Sequence, residues 1–209
     1  MSGAPSFIAF ADASPAERAR FAAIYEEALP EAERKAAADI AALGARPDYA
    51  FELLRLDGEV AGFLIVYLSQ AHPMSLLEYA AVDASRRNAG LGGLLLQRAL
   101  GLSDGRAMLV EVDSDREAQA ADRALRSRRK RFYLRHGCRQ VPGVHYVMPT
   151  VGKDAPPPMD LLVATPDEAV SPATLRLWLS DIYANVYARP QDDPAIDRMI
   201  APLPDPIAL

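Results

Sequence analysis

Leu77-Glu78-Tyr79-Ala80-Ala81-Val82-Asp83-Ala84-Ser85-Arg86-Arg87-Asn88-Ala89-Gly90-Leu91-Gly92-Gly93 carries the strongest structural signal in the chain. Residues 76–82 are nearly all apolar and predict a strand buried on both faces. A basic, glycine-containing turn follows. Gly90 then opens a helix over 90–102, with Leu91, Leu95, Ala99 and Leu102 on one side. The first N–H groups of a helix lack an intrahelical partner and carry a partial positive charge. Glycines at that point let the main chain approach an anion closely. The unit is therefore suited to a phosphate-bearing cofactor, and its spacing narrows which one. A dinucleotide fingerprint needs G-x-G-x-x-G at the chain's first strand and an acid about 20 residues later. A P-loop needs Lys followed by Ser or Thr after its last glycine, and Leu94 follows Gly93 here. Neither pattern is met.

Upstream, residues 7–10 predict a first strand. Ser14-Pro15 then starts a helix as N-cap and first helical residue. Phe21, Ile24, Tyr25 and Leu29 repeat at helical spacing, and Pro30 ends the run. A second helix is expected over 31–43, stopping at Gly44. Residues 51–56 and 60–68 flank Asp57-Gly58, a hairpin signal. Downstream, the pattern predicts a strand over 107–112 and a polar helix over 117–136 that ends at Gly137. Two more strands follow, over 141–148 and 159–164, and then a helix over 172–188. Pro190, Pro194, Pro202, Pro204 and Pro206 predict a tail that is extended or wraps the surface. No repeat is visible. The order of elements places the chain in the α/β class.

The 209 residues are 50% apolar and 24% charged, enough for a sizeable core. A net charge of −5 argues against bulk attraction to nucleic acid or to an anionic membrane. The longest apolar run near a strand, 61–68, is far short of the roughly 18 residues a membrane span needs. The single cysteine, Cys138, excludes an internal disulfide and a multi-cysteine zinc site, and it fits a reduced, cytoplasmic setting. The first residues lack the basic and apolar segments of a signal peptide. His72, His136 and His145 show no metal-ligand spacing, so no metal is expected.

Arg87-Asn88-Ala89-Gly90-Leu91-Gly92 fits [RQ]-x-x-G-x-[GA]. With Val82-Asp83 before it and the preceding meander, it resembles motif A of the GNAT superfamily of acyl-CoA-dependent acyltransferases. The resemblance covers about residues 5–150. It implies an α/β fold with a twisted mixed sheet of about seven strands and helices on both faces, plus an extra C-terminal helix. One domain over 1–188, including that helix, and a proline-rich tail over 189–209 are expected. The resemblance further implies that the N–H groups of Arg87, Asn88, Ala89, Gly90, Leu91, Gly92 and Gly93 cradle the pyrophosphate of acetyl-CoA. Ala81 and Val82 would pair with the amides of its pantetheine arm. Asn88 stands where the family usually has Gly, although Asn tolerates positive φ. Ala89 replaces a common basic residue.

Arg131-Phe132-Tyr133-Leu134-Arg135-His136-Gly137-Cys138 looks like the GNAT helix ending F-Y-x-x-x-G-[FC]. The resemblance makes Tyr133 the acid that protonates the departing thiolate. Its alternative role is an aromatic packed on the sheet. Glu78 and Glu111 are isolated acids in apolar strands. Burial there raises a carboxyl pKa towards the range of a base, so both are candidates to deprotonate an amine, with Glu78 slightly favoured. An ion pair is the competing reading for each. The seven cations from Arg123 to Arg135 suit nucleic acid, the CoA phosphates or a solvated helix face. Glu26, Glu27, Glu31 and Glu33 form either an acidic rim for a cationic amine or an ordinary solvated surface. Cys138 reads as packing. Leu175, Trp178, Leu179, Ile182 and Val186 form an apolar stripe that serves the core or a homodimer face.

The expected activity is an N-acetyltransferase in which an amine attacks acetyl-CoA directly. The acceptor, small molecule or protein amine, is not encoded in any motif. A non-catalytic acyl-CoA-binding module is the alternative. A nucleic-acid-associated protein is third, disfavoured by the net acidity.

Overall fold

A computed structural model describes residues 3–116, 122–150 and 157–209. Among these, residues 3–68 and 77–104 form one compact unit, and residues 69–76, 105–150 and 157–209 form another.

In the first unit, β1 (Ser6–Ala9) pairs antiparallel with β2 (Tyr49–Leu56), setting Phe7 opposite Leu54. β2 pairs antiparallel with β3 (Glu59–Leu68). Asp57 (φ 55°) and Gly58 (φ 82°) both take left-handed backbone, the geometry of a tight two-residue hairpin. α1 (Pro15–Ala28) starts at a capping box. Glu17 N–H donates to Ser14 Oγ at 3.3 Å, and Ser14 N–H donates to Glu17 Oε2 at 2.8 Å. Its apolar face joins the core, where the Phe21 ring meets Phe51 and Phe63 edge-on at 5.0 and 4.8 Å.

The helix expected over 31–43 is not continuous. A 3-10 turn spans Glu31–Glu33, α2 is only Ala37–Ala42, and a second 3-10 turn covers Leu43–Ala45. Tyrosine hydroxyls explain the break. Lys35 N–H donates to Tyr25 Oη at 2.8 Å, and Tyr79 donates to the Glu33 carbonyl at 2.8 Å. These are main-chain groups that a continuous helix would have bonded internally.

β4 (Met74–Val82) contributes residues 77–82 to the first unit and 74–76 to the second. In the first, Asp83 N–H donates to the Ala61 carbonyl at 2.9 Å. In the second, Ala107 N–H donates to the Pro73 carbonyl at 3.1 Å. The strand order is β1-β2-β3-β4-β5-β7-β6, a mixed seven-stranded sheet in an α/β fold, as the sequence implied. α3 (Leu91–Ser103) follows β4 in the first unit.

In the second unit, β5 (Ala107–Asp113) precedes α4 (Arg123–Arg135) and β6 (Arg139–Gln140). β7 (Met159–Ala164) pairs antiparallel with both strands, placing Leu161 opposite Glu111 and Asp160 opposite Val112. The N-terminal part of the helix expected over 117–136 falls at residues 117–121, outside the described residues. The strand expected over 141–148 reduces to a single bridge between Tyr146 and Met159. Pro142 has no N–H to donate, and Gly143 turns at φ 76°, so a ladder cannot continue there.

The C-terminal segment is more structured than its prolines suggested. β8 (Ala169–Val170) leads to α5 (Pro172–Asn185), α6 (Pro194–Ile200) and β9 (Ile207–Ala208), which pairs with β8. Pro194 is the first residue of α6 rather than part of an extended tail, and Asp193 Oδ1 caps it by accepting from Ala195 N–H at 2.9 Å. Leu175, Trp178, Leu179, Ile182 and Val186 are all buried, as are Ile196, Met199 and Ile200 of α6, so the stripe is core. Among the described residues, no helix is long and apolar enough to cross a membrane.

Candidate functional site

The turn after β4 is anchored by Asp83, which is buried at its start. Its Oδ1 accepts from Ser85 N–H at 2.8 Å and Ser85 Oγ at 2.7 Å, and its other oxygen pairs with Arg20. Asn88 takes φ 69° and Gly90 φ 77°, so two left-handed residues bring the chain into α3. A Cβ at Gly90 would meet nothing within 4 Å, so its backbone angle, not crowding, calls for glycine. Gly90 is the N-cap of α3 and supplies no side-chain acceptor to the first N–H groups. Arg87 to Gly90 are exposed. Arg87 has no carboxylate partner among the described residues. Arg86 is committed elsewhere, to Asp57 at 3.3 Å.

Gly62 of β3 supports this arrangement from behind. A Cβ there would come within 2.7 Å of the Ala81 carbonyl and 3.4 Å of Leu95 in α3. Ala80, Ala81 and Val82 are only half-buried, whereas Met74 to Leu77 are fully buried. An uncapped helix start, an available guanidinium and an incompletely covered strand end suit the pyrophosphate and amide groups of an acyl-CoA.

Glu78 lies on β4 with its side chain only 2% exposed. Lys35 Nζ sits 2.5 Å from its Oε1. Burial raises the carboxyl above its ordinary range, and the Lys35 charge pulls it back down. The buried Tyr49 hydroxyl is pushed up by desolvation and then by the charge of Glu78. Lys35 carried no signal in the sequence reading. Glu26, Glu27 and Glu31 are exposed around α1 and the turn that follows it.

Glu111 has different surroundings. Tyr146 donates to its Oε1 and Tyr187 to its Oε2. Tyr183, one turn before Tyr187, donates to the Val147 carbonyl. Burial, and then the neighbouring Glu111, raise the Tyr146 hydroxyl well above the ordinary tyrosine value. Tyr146, Met148, Met159, Pro158, His145 and Arg116 help line a cavity of about 670 Å³.

Tyr133 lies in the last turn of α4. Its carbonyl accepts from His136 N–H at 3.0 Å and Cys138 N–H at 3.2 Å, with Gly137 at φ 90° closing the helix. The residue is half-buried, and burial pushes its hydroxyl up to about 12, against the lowering effect of Arg129. Burial likewise lifts Cys138 to about 11, which leaves it a packing residue. The inner row of α4 cations is spent on acids. Arg129 pairs with Asp113 at 2.8 Å, Arg126 with Asp122 at 2.8 Å, and Lys130 with the fully buried Asp160 at 2.8 Å. These pairs account for much of the basic run as internal structure.

From α4, Lys130 reaches Asp160, which is opposite Val112 in the β5–β7 register, and Arg129 reaches Asp113. Glu111 precedes these two positions on β5 and is held by Tyr146 and Tyr187.

The family model for the acetyltransferase (GNAT) family matches residues 16–137. A GNAT-family protein from Bacteroides thetaiotaomicron is 20% identical, with 88% of this chain and 98% of that one aligned at a TM-score of 0.70. NAA60 of Arabidopsis thaliana, solved in complex with acetyl-CoA, is 17% identical over 77% of this chain and 97% of its own, with a TM-score of 0.57. The ribosomal-protein-S18-alanine N-acetyltransferase of Escherichia coli is 18% identical over 78% and 96%, with a TM-score of 0.52. No curated protein sequence matches the chain. With more than half of its length matched by the family model and the same fold in these structures, the chain belongs to the GNAT acetyltransferase family.

Proposed function

We propose that this acetyltransferase moves the acetyl group of acetyl-CoA to an amine by direct attack. The observation that carries the reading is the uncapped start of α3 behind two left-handed residues, an anion site built from main chain. The N–H groups of Asn88 to Gly92 hold the pyrophosphate, those of Arg87 and Gly93 being bonded to the Ala84 and Gly90 carbonyls at 3.4 and 3.1 Å, and Ala81 and Val82 of β4 pair with the pantetheine amides. When bound, acetyl-CoA supplies the activated acetyl thioester.

Glu111 accepts the proton that the amine must lose. Tyr146 and Tyr187 hold its two oxygens with neutral hydroxyls, which can accept as well as donate when the carboxylate takes up a proton. Glu78 is the weaker candidate because Lys35 already neutralises it in a closed environment. Tyr133 donates to the departing sulfur. A hydroxyl near 12 stays protonated across the ordinary assay range. It is a weaker acid than a thiol at about 8.5, so its proton moves only as the carbon–sulfur bond breaks.

Thiol release from acetyl-CoA, followed across a panel of primary amines, tests the reading. Tyr133→Phe is expected to lower kcat about a hundredfold while acetyl-CoA affinity barely moves. An unchanged kcat removes Tyr133 from the chemistry. Acetyl-CoA binding with no turnover on any amine points instead to an acyl-CoA-sensing role.

A further inference from the structure

We propose that Tyr187 is a positioning residue for Glu111, so that the segment following α5 completes the proton-accepting site. The inference rests on Glu111 as the proton acceptor. The family-matched span ends at residue 137. Glu111 lies inside it, and both hydroxyls that hold its carboxylate lie outside it, at Tyr146 and Tyr187.

The C-terminal segment is built to deliver Tyr187. Beyond the last turn of α5, Tyr187 N–H still bonds the Ile182 carbonyl at 3.3 Å, and Arg189 N–H bonds the Tyr183 carbonyl at 2.8 Å. Between them Ala188 takes φ 53°, a left-handed backbone unusual for alanine. Arg189 is pinned to Asp193 at 2.8 Å, and Asp193 caps α6. The same segment grips the chain around Tyr146. Tyr183 donates to the Val147 carbonyl, and Val147 N–H reaches Met199 Sδ at 3.3 Å.

A carboxylate accepting one hydroxyl on each oxygen is fixed in rotation. It also keeps both partners if it is protonated, because a phenol can accept from the new O–H as well as donate. Tyr183 of this segment also interacts electrostatically with Glu111, and Asp193, Arg189 and Arg198 act on Tyr183 in turn; Tyr146 faces Glu111 from the chain after β6.

The test follows the Glu111 carboxyl carbon by 13C NMR through a pH titration of the full chain, the signal being identified by its loss in Glu111→Gln. In Tyr187→Phe the titration midpoint is expected to rise by about one pH unit, because a donor to the charged form is gone. Replacing Tyr187 with 3-fluorotyrosine, a stronger donor of the same shape, is expected to lower it. A midpoint unmoved in both variants overturns the proposal.

Kinetics on the fastest amine of the panel separate the role of Glu111 from that of Tyr187. Tyr187→Phe is expected to reduce kcat about tenfold, with KM for acetyl-CoA unchanged and no further loss in a Glu111→Gln background. If Glu111→Gln itself keeps wild-type kcat, the base assignment fails. If Glu111→Gln is slow while Tyr187→Phe is not, only the positioning role fails.

Discussion

Glu78 and Glu111 are both single acids inside apolar strands, yet their partners differ in kind. Lys35 answers Glu78 with a full charge, and the side chain is shut away from water. Two tyrosine hydroxyls answer Glu111, which remains half-buried. A charge partner in a closed site stabilises the carboxylate only while both ions are present, since either alone is a buried, uncompensated charge. Hydroxyl partners tolerate both protonation states because they donate and accept. The same local signal therefore supports two different jobs. The first arrangement fixes the segment after α1 onto β4, and the second holds a carboxylate between two neutral hydroxyls.

The largest expected effect comes from breaking the ionic partnership. Lys35→Met leaves Glu78 buried without its cation and should cost about 3 to 5 kcal/mol of stability near neutral pH. The pH dependence has a definite sign. Burial already raises the Glu78 carboxyl above its ordinary 4.5, and losing Lys35 raises it further. Between the ordinary and the raised value, the folded chain holds a proton that the unfolded chain has released. Stability therefore falls as pH rises through that window, and the deficit of the variant shrinks in acid. Urea midpoints at acidic and neutral pH measure this. An equal loss at both would show that Lys35 acts through packing alone. Adding Glu78→Leu to Lys35→Met is expected to recover most of the stability, since a buried pair is replaceable by apolar volume.

Tyr146→Phe probes the other partnership and should be milder. One donor to a charged acceptor disappears, worth about 2 kcal/mol, but Tyr187 still holds the other oxygen and water can reach a half-buried residue. Urea unfolding again reports it. A loss matching that of Lys35→Met would collapse the distinction between the two glutamates. Because Tyr146 also lines the 670 Å³ cavity, the same variant shows whether amines bind there, through a change in amine KM separate from kcat.

Much of this architecture is legible from short-range signals. The Ser14–Glu17 capping box, the Asp57-Gly58 turn and the strand–turn–helix from Leu77 onward act within a few residues, so the sequence displays them directly. The left-handed Asn88 followed this logic too. What the sequence does not display is set by distant partners. The hydroxyls of Tyr25 and Tyr79 break the helix expected over 31–43. Tyr146 lies 35 residues from Glu111 and Tyr187 lies 76, and nothing local marks either as its partner. The helix α6 is a separate case, because Asp193-Pro194 repeats the cap-then-proline signal of Ser14-Pro15 and Ser171-Pro172. There the density of prolines suggested an extended tail, and the cap prevailed because each proline falls where no N–H is needed.

The smallest expected effect lies at the turn that presents Tyr187. Ala188 is exposed and holds φ 53°, so its methyl contributes strain without packing. Left-handed backbone costs a non-glycine residue about 1 kcal/mol or slightly more. Glycine removes that strain but gives the unfolded chain extra freedom. Ala188→Gly should therefore stabilise the protein by about 0.5 kcal/mol, seen as a Tm increase of roughly one to two degrees. The Arg189–Tyr183 main-chain bond should persist, because glycine adopts the same angle, and kcat should stay at the wild-type value. A drop in kcat with a gain in stability would be the more informative result. It would show that the stiffness of alanine at this position, and not only the reach of the chain, keeps the Tyr187 hydroxyl on Glu111.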